Sequence, residues 1–428
     1  MREMKDSGIA WIGAIPNHWR VLKIKQIVRW KSVKGQPDLP VLSLYRDYGV
    51  IPKDSRDDNH NVTSLDTSGY KVVEHGDLVI NKMKAWQGSL AVSEYNGIVS
   101  PAYHICKITS ENICKKYLHY LLRDASYLPE YMRLSTGLRV GQWDLSFDDF
   151  KNIPFLVPPL AEQERIAAFL DAECAEIDAV LEKTRASIEE YKKLKQAVIT
   201  QAVTKGIRGD RPMKDSGIEW IGEIPAEWEI RKIFRAINKV GDIDHYMPDS
   251  VDDGIPYLMT GDLQEKLSDV NLKRCKKVSF QDYEMLSSKI KVSRGDVIFA
   301  RYATIGTGCF VDTEDNILVS YACLIIKPNS SLLYGEFLFY YLKSTAFLEE
   351  IKQYIKANTQ ANVGLDSVSK AKIALPSVRE QQKIAEYLRD KCKKIDALIA
   401  KKQQYLTEIE NYRKSLIYEY VTGKKEVV

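Results

Sequence analysis

The residues best able to do chemistry in this 428-residue chain are scattered, and their spacing fits few reactions. Histidines at 18, 60, 75, 104, 119 and 245 do not cluster in sequence, so neither a metal cage nor a nucleophile–base–acid triad is spelled out. Asp57-Asp58 and Asp252-Asp253 are paired carboxylates, but both sit in polar stretches where solvated turns account for them. Thr422-Gly-Lys-Lys425 lacks the upstream glycine of a phosphate-binding loop and reads as a helix end. Gly306-Thr-Gly308 lies beside a strand pattern with no helix pattern after it, which argues against a dinucleotide fold. No GxSxG or HExxH occurs. The expectation is a chain with no catalytic residues, no metal ligands and no cofactor of its own.

A second set of residues suits contact with nucleic acid. After two strand-like runs that begin Gly-Asp come Asn81-Lys-Met-Lys-Ala-Trp-Gln87 and Ala300-Arg-Tyr-Ala-Thr304. These supply Lys82, Lys84, Trp86 and Gln87 in one half, and Arg301, Tyr302 and Thr304 in the other. Arg133, Arg139, Gln142 and Trp143 follow in the first half, and Lys356, Thr359, Gln360 and Asn362 in the second. Arg and Lys match guanine's major-groove acceptors, Asn and Gln match adenine's donor–acceptor pair, and further lysines can hold phosphates. Charge gives little support, because 62 basic against 58 acidic residues leave a net +4. The two globular segments are nearly balanced, so a basic-patch argument is weak.

Positioning these residues falls to a chain written twice. Residues 4–24 return at 213–233 with 14 identities in 21, including Asp-Ser-Gly-Ile-x-Trp-Ile-Gly-x-Ile-Pro-x-x-Trp. Residues 158–179 return at 376–397 with 10 identities in 22, including Glu162-Gln163 with Glu380-Gln381. Both later copies continue with a 4-3 apolar spacing sustained over several heptads, the signature of a coiled-coil seam. Its principal positions are Ile166, Leu170, Ile177, Leu181 and Ile188, then Ile384, Leu388, Ile395, Ile399 and Leu406. The polar exceptions fall at matching places, Thr184 with Lys402 and Lys195 with Arg413. Pro158-Pro159 opens the first helix, Ser377-Val-Arg-Glu380 is a capping box for the second, and Gly206 and Gly423 sit where left-handed caps would close them. Each helix spans roughly 45 residues, about 65–70 Å. Apolar residues off the seam, notably Leu194, Ile199, Tyr405 and Tyr412, form a second stripe wanting partner helices.

The expected class is α+β. It comprises two mixed α/β globular domains separated by two long antiparallel helices in a coiled coil, with an internal pseudo-twofold repeat. The divisions are 1–157 for the first domain, 158–206 for the first helix, 207–375 for the second domain and 376–428 for the second helix and tail. With 45% hydrophobic and 28% charged residues the composition is ordinary for a soluble protein, and no apolar run is long enough for a membrane span. The start lacks a signal-peptide stretch, and seven cysteines without a CxxC pair suggest reduced thiols, so a cytoplasmic protein is expected.

The repeated Trp/Gly/Pro segments, the Pro-x-x-x-Glu-Gln-x-x-Ile-Ala helix starts and the Ile-Asp-Ala continuations resemble those of type I restriction-modification specificity subunits, in order along the whole chain. Thr359-Gln-Ala-Asn-Val-Gly-Leu-Asp366 is similar to the family too, and Thr136-Gly-Leu-Arg-Val-Gly141 is a looser counterpart. The resemblance implies a non-catalytic subunit whose two domains are target-recognition domains, each reading one half of a bipartite, asymmetric DNA site. The helices would set the gap and dock two methyltransferase subunits, which bring S-adenosylmethionine, while restriction subunits with ATP and magnesium join outside. The alternatives are a recognition subunit serving a different or solitary modification enzyme, and a coiled-coil scaffold with no DNA role. Ser100-Pro-Ala-Tyr103 is similar to the catalytic tetrapeptide of amino-methyltransferases but lacks its second proline, and no glycine-rich cofactor loop lies nearby.

Overall fold

In the computed structural model, which describes residues 2–46, 48–56, 63–64, 66–137, 143–302, 306–354 and 363–427, each repeat segment opens as a two-stranded hairpin. Met4–Asp6 pairs with Ala14–Pro16, and Met213–Asp215 with Glu223–Pro225. The Asp-Ser-Gly-Ile tetrapeptide explains the turn, because its side chains cap their own backbone. Asp6 accepts from the Gly8 N–H at 3.0 Å and Ser7 from the Ile9 N–H at 3.1 Å, and Asp215 and Ser216 repeat this at 3.0 and 3.2 Å. Ile9, Ile12 and Ile15, like Ile218, Ile221 and Ile224, point into the core.

The next strand of each repeat ties the hairpin to a helix start. Arg20–Lys23 pairs antiparallel with Pro154–Val157, and Glu229–Lys232 with Lys372–Leu375, the strands that lead into the long helices Leu160–Lys205 and Val378–Val421. The Glu-Gln pair in each helix start makes the joint. Glu162 accepts from the buried Trp19 indole at 3.2 Å and from Arg2 at 2.6 Å, while Glu380 accepts from Trp228 at 3.2 Å and Arg211 at 2.7 Å. Gln163 and Gln381 satisfy backbone groups at the head of a helix in the preceding domain, accepting from Cys114 N–H at 2.9 Å and Tyr334 N–H at 2.7 Å. The expected capping box is therefore only half made. Ser377 Oγ accepts from the Glu380 N–H at 3.4 Å, but the Glu380 carboxylate turns to Trp228 and Arg211 because the tryptophan needs a buried acceptor.

The two diverged segments share one frame. In the first, β1 (Val28–Lys31), β2 (Asp77–Asn81), β3 (Leu90–Val92) and β4 (Tyr103–Ile108) form an antiparallel sheet in the order β1-β4-β2-β3. In the second, β5 (Ile237–Gly241), β6 (Val297–Ala300), β7 (Gly308–Phe310) and β8 (Cys323–Pro328) repeat it as β5-β8-β6-β7. Two helices follow each sheet: α1 (Lys115–Arg123) and α2 (Leu128–Leu134), then α3 (Gly335–Lys343) and α4 (Thr345–Tyr354). The domains part elsewhere. The second adds a three-stranded sheet of Lys276–Val278, Ile255–Leu258 and Leu318–Val319, and the first has separate two-stranded pieces instead.

The chain divides into two compact units, 1–185 with 404–428 and 186–403, so that each takes one globular domain and part of both long helices. Within the first unit the helices run antiparallel: Phe169 packs on Tyr420 at 4.5 Å, Asp178 pairs with Arg413 at 3.3 Å and Arg185 with Glu410 at 2.8 Å. Within the second, Lys402 lies over the Tyr191 ring and Lys195 pairs with Asp396 at 2.6 Å, again antiparallel. The seam residues Ile166, Leu170, Ile177, Leu181, Ile188, Ile384, Leu388 and Ile395 are buried, while Ile399 and Leu406 are half-buried. The polar interruptions are answered in kind. Lys195 with Asp396 and Arg413 with Asp178 are the same pair at equivalent repeat positions, and the Thr184 hydroxyl donates to the Val180 carbonyl at 2.8 Å. Paired charges in a seam fix register rather than add stability. Gly206 and Gly423 close the helices at φ +76° and +73°, in the left-handed region only glycine enters without strain. All seven cysteines are unpaired, and no helix among the described residues is long and apolar enough to cross a membrane.

Candidate nucleic-acid interface

The residue after the second sheet strand stands at the same junction in both domains. The Lys82 N–H donates to the Ala102 carbonyl at 3.2 Å, and its carbonyl accepts from the Leu145 N–H at 2.9 Å. Arg301 donates to Ala322 at 3.0 Å and accepts from Val363 at 2.9 Å. Three pieces of chain meet there: the end of β2 or β6, the turn before β4 or β8, and the segment returning toward the long helix. That turn is Ser100-Pro-Ala-Tyr103 in the first domain, where the Tyr103 N–H closes onto the Ser100 carbonyl at 3.3 Å. In the second, Cys323 closes onto Ser320 at 2.9 Å.

Each junction carries a basic side chain paired with an aspartate. The Lys82 ammonium meets Asp144 at 2.8 Å, and the Arg301 guanidinium, stacked over Tyr302, meets Asp242. The carboxylates come from different places, Asp144 from the returning segment and Asp242 from just past β5. Their surroundings also differ in charge. In the first domain the buried Lys71 donates to the Tyr103 carbonyl at 2.5 Å, and burial together with Lys34 and Lys82 pushes its ammonium pKa down. His104 lies against the Leu145 carbonyl at 3.1 Å, and burial lowers its pKa also. In the second domain Asp242 also meets Lys289 at 3.4 Å, which in turn meets Asp244 at 3.2 Å, so the charges balance.

The sequence-derived residues fall around these junctions unevenly. Lys84 and Gln87 are exposed on the turn after β2, and Trp86 is held there by its indole donating to the Met83 carbonyl at 3.1 Å. Trp143 joins it edge-on at 5.3 Å, so Lys82, Lys84, Trp86, Gln87 and Trp143 share one surface. Arg133 lies on α2, which packs against that turn, and its guanidinium grips Glu130 with both arms while remaining exposed. Arg139, Gln142, Thr304, Lys356, Thr359, Gln360 and Asn362 lie outside the described residues. Sequence reasoning missed Lys71, His104, Asp144 and Asp242, which only tertiary pairing brings to the junctions. On the helices Leu194, Tyr405 and Tyr412 are exposed. Ile199 is a correction. It is 2% exposed in the core of the second unit, because the hairpin residues Ile218, Ile221 and Ile224 wrap the end of the first long helix there. Among the described residues no group of three or more His, Cys, Asp or Glu side chains could hold a metal ion.

A duplicated protein, with one cation–carboxylate junction per domain on a framework of two long helices, is the class that this geometry defines. The family model for the type I restriction modification DNA specificity domain matches residues 16–190 and 225–410, and the chain belongs to that family. It is similar to the type I restriction enzyme MjaVIII specificity subunit of Methanocaldococcus jannaschii, 24% identical over 428 residues, with 96% of this chain and 94% of that one covered. It is also similar to the EcoBI specificity subunit of Escherichia coli, 23% identical over 329 residues, covering 75% and 68%. A solved structure described as "Structural basis underlying complex assembly and conformational transition of the type I R-M system" shares the fold, with a TM-score of 0.70, 15% identity and coverage of 96% and 99%. The chain is thus a DNA specificity subunit of a type I restriction-modification system.

Proposed function

We propose that each globular domain reads one half of a bipartite, asymmetric DNA site, and that the long helices set the gap and dock two methyltransferase subunits along the stripe that includes Leu194, Tyr405 and Tyr412. The chain itself performs no catalysis in this reading. S-adenosylmethionine belongs to the methyltransferase subunits, ATP and magnesium belong to the restriction subunits that join them, and the assembly works in the cytoplasm. The observation that carries the reading is the junction built twice on the same backbone bonds with different side chains, Lys82 with Asp144 and Arg301 with Asp242. A shared frame with unlike recognition groups is what two different half-sites require, since base edges differ in their pattern of donors, acceptors and the thymine methyl group.

The test uses the complex reconstituted with methyltransferase subunits on two duplex libraries, each randomised in one half of the site. The double variant Lys84→Ala/Gln87→Ala should lose discrimination in one library and Arg301→Ala in the other, each by about 1–3 kcal/mol for a lost bidentate base contact. Equal loss in both libraries from either variant would refute the division between domains.

A further inference from the structure

Both junctions pair their cation with a carboxylate. Non-specific affinity comes from cations that displace counterions at phosphates, whereas sequence is read at neutral base edges. A cation already paired with a carboxylate gains less from a phosphate, and an approaching phosphate also meets the carboxylate's repulsion. Against a base edge the handicap is smaller, because a base edge carries no net charge for the carboxylate to repel. The aspartates are recruited from unrelated elements, 62 residues from Lys82 and 59 from Arg301 in sequence. The pairing is therefore no by-product of the common frame.

We propose that Asp144 and Asp242 are specificity-determining residues, each holding its domain's junction cation in a paired state that suppresses binding to DNA of arbitrary sequence. This rests on the reading of the domains as DNA-recognition modules. It adds that discrimination is produced partly by carboxylates that touch no DNA.

The experiment measures binding of the reconstituted complex to a pool of random-sequence duplexes over a salt series, and selection from the same pool for preferred sequence. With Asp144→Asn, binding to the random pool should tighten at low salt. The slope of log affinity against log salt should steepen by about 0.9 for each cation freed to a phosphate, and sequence preference should weaken. The double variant Lys82→Gln/Asp144→Asn should return the slope to the wild-type value. Asp242→Asn repeats the test in the other domain, so a folding failure of one variant leaves the other decisive. An unchanged slope, or weaker binding to all sequences, from the folded single variants would make the aspartates structural pins and overturn the proposal. If the wild-type complex selects no sequence, the functional reading itself fails before any variant is measured.

Discussion

The two globular domains have kept a frame and changed its charges. Sheet order, the junction backbone bonds and the two helices after the sheet are common to both, but the side chains on that frame are rearranged. One exchange is a direct reversal. Lys116 on α1 pairs with Asp171 of the first long helix at 2.6 Å, and at the equivalent place in the second unit Glu336 on α3 pairs with Arg389 of the second long helix. A domain seated on the wrong helix would put Lys116 beside Arg389, or Glu336 beside Asp171. Like charges there are repulsive, so the reversal matches each domain to its own helix. The lesson is that duplication supplies geometry, while identity is written in which partner neutralises which charge.

The largest test of this comparison lies in the burial of the two reversed pairs. Glu336 is only 1% exposed, whereas Lys116 and Asp171 are 61% and 38% exposed. Arg389→Ala removes the two-armed partner of a buried carboxylate, leaving it Lys266 at 3.6 Å, and should cost about 2–3 kcal/mol, while Lys116→Ala breaks a solvated pair and should cost about 1 kcal/mol or less. Denaturant unfolding of the full chain measures both. Equal losses would mean that the reversal makes no structural difference between the units.

Much of this organisation is legible from sequence because it is local or periodic. The 4-3 seam and its matching polar exceptions Lys195 and Arg413 are visible as spacing, and the Asp-Ser-Gly-Ile repeats are turns by their own side-chain chemistry. The Gly-Asp echo is a turn signal as well, with Asp77 accepting from the Glu74 N–H at 2.9 Å and Asp296 from the Ser293 N–H at 2.8 Å. The junctions are different. Their strands share almost no residues, so the common sheet order leaves no repeat to detect, and the choice of Asp144 or Asp242 as partner is made across about sixty residues of chain. Ile199 departs from its periodic position for a related reason. Periodicity describes two helices alone and does not count the hairpin that wraps one end.

The helix ends sharpen the comparison next. A Cβ on Gly423 would lie 2.4 Å from Cδ of the rigid Pro16 ring and 3.0 Å from Trp19, while one on Gly206 would meet chiefly the movable tip of Arg211. Both positions bear the left-handed strain of about 1–2 kcal/mol for an alanine. Gly423→Ala should therefore exceed Gly206→Ala, reaching about 2–3 kcal/mol through added steric clash. Thermal melts of the two single variants decide it, and a larger loss at Gly206 would mean that the Arg211 links to Glu380 and the Lys205 carbonyl matter more than the proline contact.

The smallest expected difference is in acid sensitivity, because five of the six histidines belong to the first domain's half of the chain. His119 on α1 is half-buried, and burial followed by the nearby Arg123 charge lowers its imidazole pKa to about 3. The native state therefore keeps this ring neutral, while the unfolded chain protonates it near the ordinary value of about 6.5. Below that pH the unfolded state binds the extra proton, so the stability that His119 contributes is complete above about 6.5 and is lost as pH falls toward 3. His104, also lowered by burial, acts with the same sign. The second domain carries one histidine, His245. Between pH 6.5 and 5, above the ordinary carboxylate range, the first unit should lose about 2 kcal/mol or less relative to the second. Hydrogen exchange at the two pH values reports each unit separately. His119→Gln should flatten the first unit's dependence, and a dependence unchanged by that substitution would assign the acid response to other groups.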